Sequence, residues 1–142
     1  MIEILFKGKR IDNNEWIEGF YLPIGERTYI ICEAELDCTD GENTDLYTTE
    51  WYEVDPETIC QYTGWVDKNG RRYEGDIFQV VDIECACIWR YVIKWDDKLL
   101  RWSANNIEKS YIKLPLSDFR IEEINVIGNV FDNSELLEEA AG

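Results

Sequence analysis

Short runs of aromatic and β-branched residues, cut at close intervals by Gly, Asn and Asp, limit what this chain can fold into more than any other feature. The clearest interruption is Asp67-Lys68-Asn69-Gly70, with Asn69-Gly70 at the tip, where positive φ is expected. Asp12-Asn13-Asn14 is a second, because Asn and Asp tolerate left-handed backbone geometry. Gly75 stands directly before Asp76 and opens a third. Between the breaks the pattern predicts strands over residues 2–6, 16–22, 27–33, 46–54, 77–83, 90–95, 99–103 and 124–131. In the first, Ile2, Ile4 and Phe6 fall on one side, and Glu3 and Leu5 on the other. Residues 8–14 are polar and lead through the turn into the second strand, which makes a hairpin with the first. Asp96-Asp97 closes a hairpin whose strands interleave Trp, Tyr, Val and Ile with Lys and Arg, as a half-buried sheet should. Gly128 marks a bulge or a close backbone approach.

Two helical pieces are expected. Asp55-Pro56-Glu57 suits one short turn: Asp caps the free amides, Pro fits the first helical position, and Glu favours the positive end. Residues 134–141 form the one full helix, with Asn133 as cap and acidic residues in its first turn. The aromatic content of 13% agrees with strands, since flat rings pack well on a pleated surface. The fold class is therefore mainly β: a small meander or SH3-like barrel arrangement with an N-terminal β hairpin region and a short C-terminal helix. Residues 73–131 have the outline of a five-stranded SH3-like barrel. A length of 142 residues suits two small subdomains, 1–60 with an acidic solvated loop over 35–45 and 61–142 with the barrel and helix, or one compact unit.

Charge removes one class of partner. The net charge is −16, and residues 33–57 hold ten acidic residues and no Lys or Arg. Such a surface repels phosphates, so direct binding of nucleic acid is disfavoured, and attachment to an anionic membrane likewise. Lys7-Gly8-Lys9-Arg10 and Arg71-Arg72 are short basic segments in this acidic setting, expected to be solvated or paired within the chain. No stretch approaches the roughly 18 consecutive apolar residues of a membrane span. Met1-Ile2-Glu3-Ile4 lacks the basic start of a signal peptide, and five cysteines, an odd number, argue against a closed disulfide framework. The expected location is a reducing cytoplasm.

Four blocks in order carry a resemblance. They are Phe6-Lys7-Gly8-Lys9-Arg10 with Trp16-Ile17-Glu18-Gly19-Phe20, the run from Val54-Asp55-Pro56 to Gly64, Asp67-Lys68-Asn69-Gly70 with Tyr73-Glu74-Gly75-Asp76-Ile77, and Val126-Ile127-Gly128-Asn129-Val130-Phe131-Asp132-Asn133. In this the chain resembles the YopX family, known from phages and prophages of Gram-positive bacteria. Ser134 stands where the family usually has Pro, and the acidic insert between Cys32 and Thr48 lies where the family is expected to vary most. The resemblance implies a mostly β protein of phage origin in a bacterial host cell. It implies no activity.

Site chemistry is sparse. Histidine is absent, which removes the commonest general base and every imidazole metal site. A thiolate zinc site needs about four sulfurs, usually in close pairs. Cys85-Ala86-Cys87 would put two on one strand face, while Cys32, Cys38 and Cys60 are scattered, so ordinary thiols and no metal are expected. Asp76, Glu74, Asp82, Glu84, Asp96 and Asp97 are the carboxylates from which a glycosidase-like pair or a magnesium site would be drawn. Solvated side chains and turn caps are the stronger expectation, and Asp76 is expected to pin the Gly75 turn through backbone amides. Trp16, Trp51, Trp89, Trp95 and Trp102 are expected in the sheet packing unless several prove exposed together. No phosphate loop, dinucleotide loop or nucleophile elbow is present.

The leading expectation is a non-catalytic interaction or assembly protein, with no cofactor, whose partner is a second copy or a host or phage protein. A DNA mimic that occupies a host nucleic-acid-binding protein is the alternative, and a carboxylate-site enzyme a weaker one.

Overall fold

The computed structural model describes residues 3–38, 41 and 44–141, with side chains through residue 138. Of the residues read above, Met1, Ile2, Asp40 and Glu42 lie outside the described ones. In chain order the strands are β1 (Phe6–Lys9), β2 (Trp16–Ile24), β3 (Arg27–Asp37), β4 (Asp45–Val54), β5 (Cys60–Asp67), β6 (Gly70–Tyr73), β7 (Asp76–Asp82), β8 (Cys87–Asp96), β9 (Arg101–Asn106), β10 (Lys113–Pro115) and β11 (Ile124–Asn129). One helix, α1 (Glu135–Ala141), follows, and short 3₁₀ turns lie at Pro56–Thr58, Leu116–Asp118 and Ile121–Glu123. The mainly β expectation holds, and every strand pair with an assigned register is antiparallel. The chain divides into two compact units, residues 1–62 and 63–142, and β5 crosses the boundary.

In the first unit β4, β3, β2, β1 and the start of β5 are successive hydrogen-bonded neighbours. The N-terminal hairpin forms, but its first strand begins at Phe6, later than the alternation of Ile2, Ile4 and Phe6 predicts. The polar Lys7-Gly8-Lys9 is itself strand. Lys9 pairs across from Trp16, and the Lys7 and Lys9 ammonium groups lie 4.5 and 5.3 Å from its ring centroid, so their stems have an aromatic surface to follow. Ile30, Val54, Cys60 and Tyr62 are the buried apolar residues of this unit. Asp55 caps the 3₁₀ turn as expected, accepting from Glu57 N at 3.0 Å.

The acidic loop expected over 35–45 is a correction. β3 and β4 remain paired out to Asp37 opposite Asp45, with Glu35 opposite Tyr47 and Leu36 opposite Leu46. Alternation of charged and apolar residues here is strand periodicity, and the segment is a two-stranded ribbon exposed on both faces. Two register shifts flank Glu33: Cys32 is the extra residue on β3, and Thr49 the extra residue on β4.

In the second unit the order is β10-β9-β8-β7-β11. This sheet is open, which corrects the SH3-like barrel. Closure needs the two edge strands to meet, and β10 is three residues long and ends at Pro115, which has no N–H to extend a ladder. The core lies on one face: Phe78, Tyr91, Ile93, Ala104, Leu116 and Ile124 are buried together, with Trp65, Trp89 and Phe119 packed against them. Phe78 stacks on Tyr91 at 5.5 Å and meets Phe119 edge-on at 5.1 Å.

The turns are where the sequence placed them. Gly70 has φ +125° and Gly75 φ +90°, but Asn69 keeps a negative φ, because its N–H is held at 2.8 Å by Asp67 Oδ1. β11 shifts register between Val126 and Gly128. A Cβ at Gly128 would collide with the Asn133 amide, whose Oδ1 accepts from Asn129 N at 3.1 Å. Asn133 therefore ties the helix entry back to β11 with its side chain. The expected capping bond falls instead to its backbone carbonyl, which accepts from Leu136 N at 3.0 Å.

Candidate functional site

The carboxylates considered as catalytic are spread over separate turns. Asp76 is 4% exposed; its Oδ2 accepts from Tyr73 N at 2.9 Å and stands 3.6 Å from Arg72 Nη1. Arg72 Nε lies 3.4 Å from the buried Asp67 Oδ2, an ion-pair distance without hydrogen-bond geometry. The cluster locks the turns on either side of β6. Asp82 Oδ1 accepts from Glu84 N at the β7–β8 tip, and Asp96 Oδ1 accepts from Lys98 N and Leu99 N at the β8–β9 tip. Those two tips are opposite ends of β8, so Asp82 and Glu84 are not brought to Asp96 and Asp97. Glu74 is half-buried beside the Gly75 turn, where Gly75 N donates to Ile93 O and Val130 N donates to Gly75 O. The Leu99 and Lys98 amides hold the Asp96 carboxyl below its ordinary pKa, the Leu99 bond being the largest influence.

All five cysteines are free, and no group of three metal-ligating side chains occurs among the described residues. Cys85 lies in the turn before β8 rather than on a strand face, next to Ala86 at φ +55°. Its thiol, hydrogen-bonded to Cys87 and further raised by desolvation and by Asp82, is pushed up to about 11. Although exposed, Cys85 is expected to react with iodoacetamide at pH 8 at least about tenfold more slowly than free cysteine, because the thiolate is the nucleophile. Peptide mass spectrometry of a timed labelling series measures this, and labelling at the free-cysteine rate would contradict it.

The basic segment is engaged within the chain. Arg10 bonds both oxygens of Asp12 at 2.9 and 2.6 Å and lies 4.1 Å over the Tyr52 ring. The same contact lowers the Asp12 pKa. No helix among the described residues is long and apolar enough to cross a membrane.

The Trp89, Tyr91 and Trp95 face is mostly core: Tyr91 is buried, Trp89 packs against the cluster, and only Trp95 emerges, edge-on to Trp102. Exposed apolar residues occur at the strand tips of the second unit, Ile83 and Leu100 among them, but a broad exposed apolar face is formed by the outer side of β2, β3 and β4 in the first unit. Leu22, Ile24, Arg27, Tyr29, Ile31, Thr48 and Trp51 line a hollow of about 340 Å³ there. Phe20 is 60% exposed, Ile24 57% and Trp51 53%. Thr48 pairs with Ala34, and Leu46 with Leu36, so the same face continues along the ribbon to two exposed leucines. One sequence signal pointed to it: from Phe20 to Ile24 every residue is apolar, on both parities, so the strand offers apolar side chains to two faces.

The chain matches the family model described as YopX protein over residues 6–138. No curated protein matches it. Among solved structures it is similar to protein EF1440 from Enterococcus faecalis, with a TM-score of 0.62 and 21% identity over 96% of this chain and 99% of that chain. At that identity the likeness concerns the fold.

Proposed function

This chain belongs to the YopX family, and from that premise we propose that it is a non-catalytic assembly module of phage or prophage origin acting in the host cytoplasm. The outer face of β2, β3 and β4 is its docking surface, and a second copy its partner. The observation that carries this reading is the run of exposed apolar side chains from Ile24 and Phe20 through Trp51 to Leu36 and Leu46. Monomers rarely leave so contiguous an apolar surface in water. Charge favours a second copy despite the net −16. The face carries Arg27 and Glu53 side by side, and Lys7, Glu18 and Lys9 toward the β1 side, so it is close to neutral where the rest of the unit is acidic. In a two-fold face-to-face pairing with the axis along the strands, the lysine side of one copy meets the β4 side of the other.

Mimicry of a nucleic acid finds less support. Of the carboxylates between residues 33 and 57, Asp55 caps a helical turn, Glu35 and Glu50 accept from the Tyr47 and Tyr52 hydroxyls, and Glu53 stands against Arg27. Glu33, Glu35, Asp37, Asp45 and Glu50 do share the ribbon face opposite the leucines. Two of them are engaged by tyrosine hydroxyls, and Glu53 and Asp55 lie off that face, so the aligned set is short and partly occupied. Enzyme chemistry finds less support because Asp76, Asp82 and Asp96 each accept backbone amides at separate turns.

Size-exclusion chromatography with light scattering tests the reading. The expected result is a mass above the 16.8 kDa monomer that rises with concentration, and a shift to monomer in Ile24→Glu. A clean monomer at every concentration would sink it.

A further inference from the structure

Two of the free thiols meet at the tip of the β7–β8 hairpin, in the second unit. Asp82 pairs with Cys87, so residues 83–86 make the turn, and Ala86, last in it, has φ +55°. Cα atoms two residues apart stand about 7 Å from each other in an extended chain, at the limit of what a disulfide can span. A left-handed residue between them shortens that distance. The side chains show the result: Cys87 Sγ donates to Cys85 O at 3.2 Å, and the Cys85 thiol is hydrogen-bonded to Cys87. Both sulfurs therefore lie on one side of the turn, Cys85 exposed and Cys87 half-buried. A residue with a Cβ seldom adopts this φ, so the turn holds a strained link between its two cysteines.

We propose that Cys85 and Cys87 form a reversible dithiol–disulfide site whose oxidant is a low-molecular-mass disulfide. The Cys87 thiolate attacks one sulfur of the oxidant, forming a mixed disulfide and expelling the first thiolate. Cys85, which its neighbours otherwise hold protonated, then gives up its proton and attacks the Cys87 sulfur. The Cys85–Cys87 bond forms as the second thiolate leaves. Two electrons pass from the protein to the oxidant, and the two cysteine protons end on the released thiols. Closing the bond also removes the Cys85 thiol as a donor to Asp82.

The ring spans a single intervening residue, so the bond takes little freedom from the unfolded chain and adds little stability. Such a disulfide is readily reduced, which suits a switch in a reducing compartment and not a structural staple.

Incubation of the full chain with oxidised glutathione, followed by an acid quench, alkylation in denaturant and tryptic digestion, tests the site. Residues 73–90 form one tryptic peptide that holds these two cysteines and no other. That peptide should lose two hydrogens and escape alkylation, and reduced glutathione should restore both thiols. Cys85→Ser should trap the mixed disulfide on Cys87. Ala86→Gly retains access to the positive φ and should close at a similar rate, whereas Ala86→Val, whose branched side chain resists it, should close about tenfold more slowly. Near-ultraviolet circular dichroism checks that each variant is folded. Glutathione adducts that persist on the wild-type pair, disulfides between chains instead of within the peptide, or equal closure rates in the two Ala86 variants would overturn the proposal.

Discussion

Replacing Asp76 with Ala is expected to destabilise the second unit by about 3–5 kcal/mol, the usual result of removing one partner from a buried charge cluster. The carboxylate is the acceptor for Tyr73 N at 2.9 Å and a counter-charge to Arg72 at 3.6 Å, and while Asp67 would remain beside Arg72, the buried Tyr73 amide would lose its acceptor. Asp76→Asn retains an acceptor for the amide and loses only the charge, so its cost should be about half. Urea denaturation followed by tryptophan fluorescence measures both. The sign carries information, because substituting a catalytic carboxylate often leaves a fold unchanged or firmer. An Asp76→Ala protein within about 1 kcal/mol of wild type would reopen the catalytic reading.

The second large effect belongs to Phe78. Its ring is fully buried among Trp65, Tyr91 and Phe119, at centroid distances of 6.1, 5.5 and 5.1 Å. Phe78→Ala should cost about 3–5 kcal/mol, combining lost transfer energy with a cavity that rigid sheet neighbours cannot close. Near-ultraviolet circular dichroism should weaken at the same time, since the ring packs against three other aromatics. Phe78→Leu refills most of the volume and should cost about 1–2 kcal/mol. Equal stability of the Ala variant would mean that this cluster is not the core of the unit.

Local chemistry was legible in the sequence, and long-range pairing was not. Gly70, Gly75 and Asp55 announce their turns through residue type alone, and Asp76 has the anchoring role its position after Gly75 implies. The barrel failed because closure depends on whether two distant edges meet, which no short window records. β1 was displaced because Lys7 and Lys9 read as polar until Trp16 is seen beneath them. The ribbon was taken for a loop because net charge outweighed alternation in the reading of residues 35–45. The outer face was missed for a related reason: its residues come from three strands, and only pairing makes them contiguous.

The two extra residues in the β3–β4 ribbon, Cys32 on one strand and Thr49 on the other, offset each other, so that Ile31 opposite Trp51 and Ala34 opposite Thr48 belong to one register. Loss of either residue alone would slide one strand against the other and turn its leucines toward the side that now carries the carboxylates. Insertions and deletions here are therefore viable in compensating pairs, one from each strand. Divergent relatives should differ in ribbon length by even numbers while retaining the alternation of Glu35, Leu36 and Asp37.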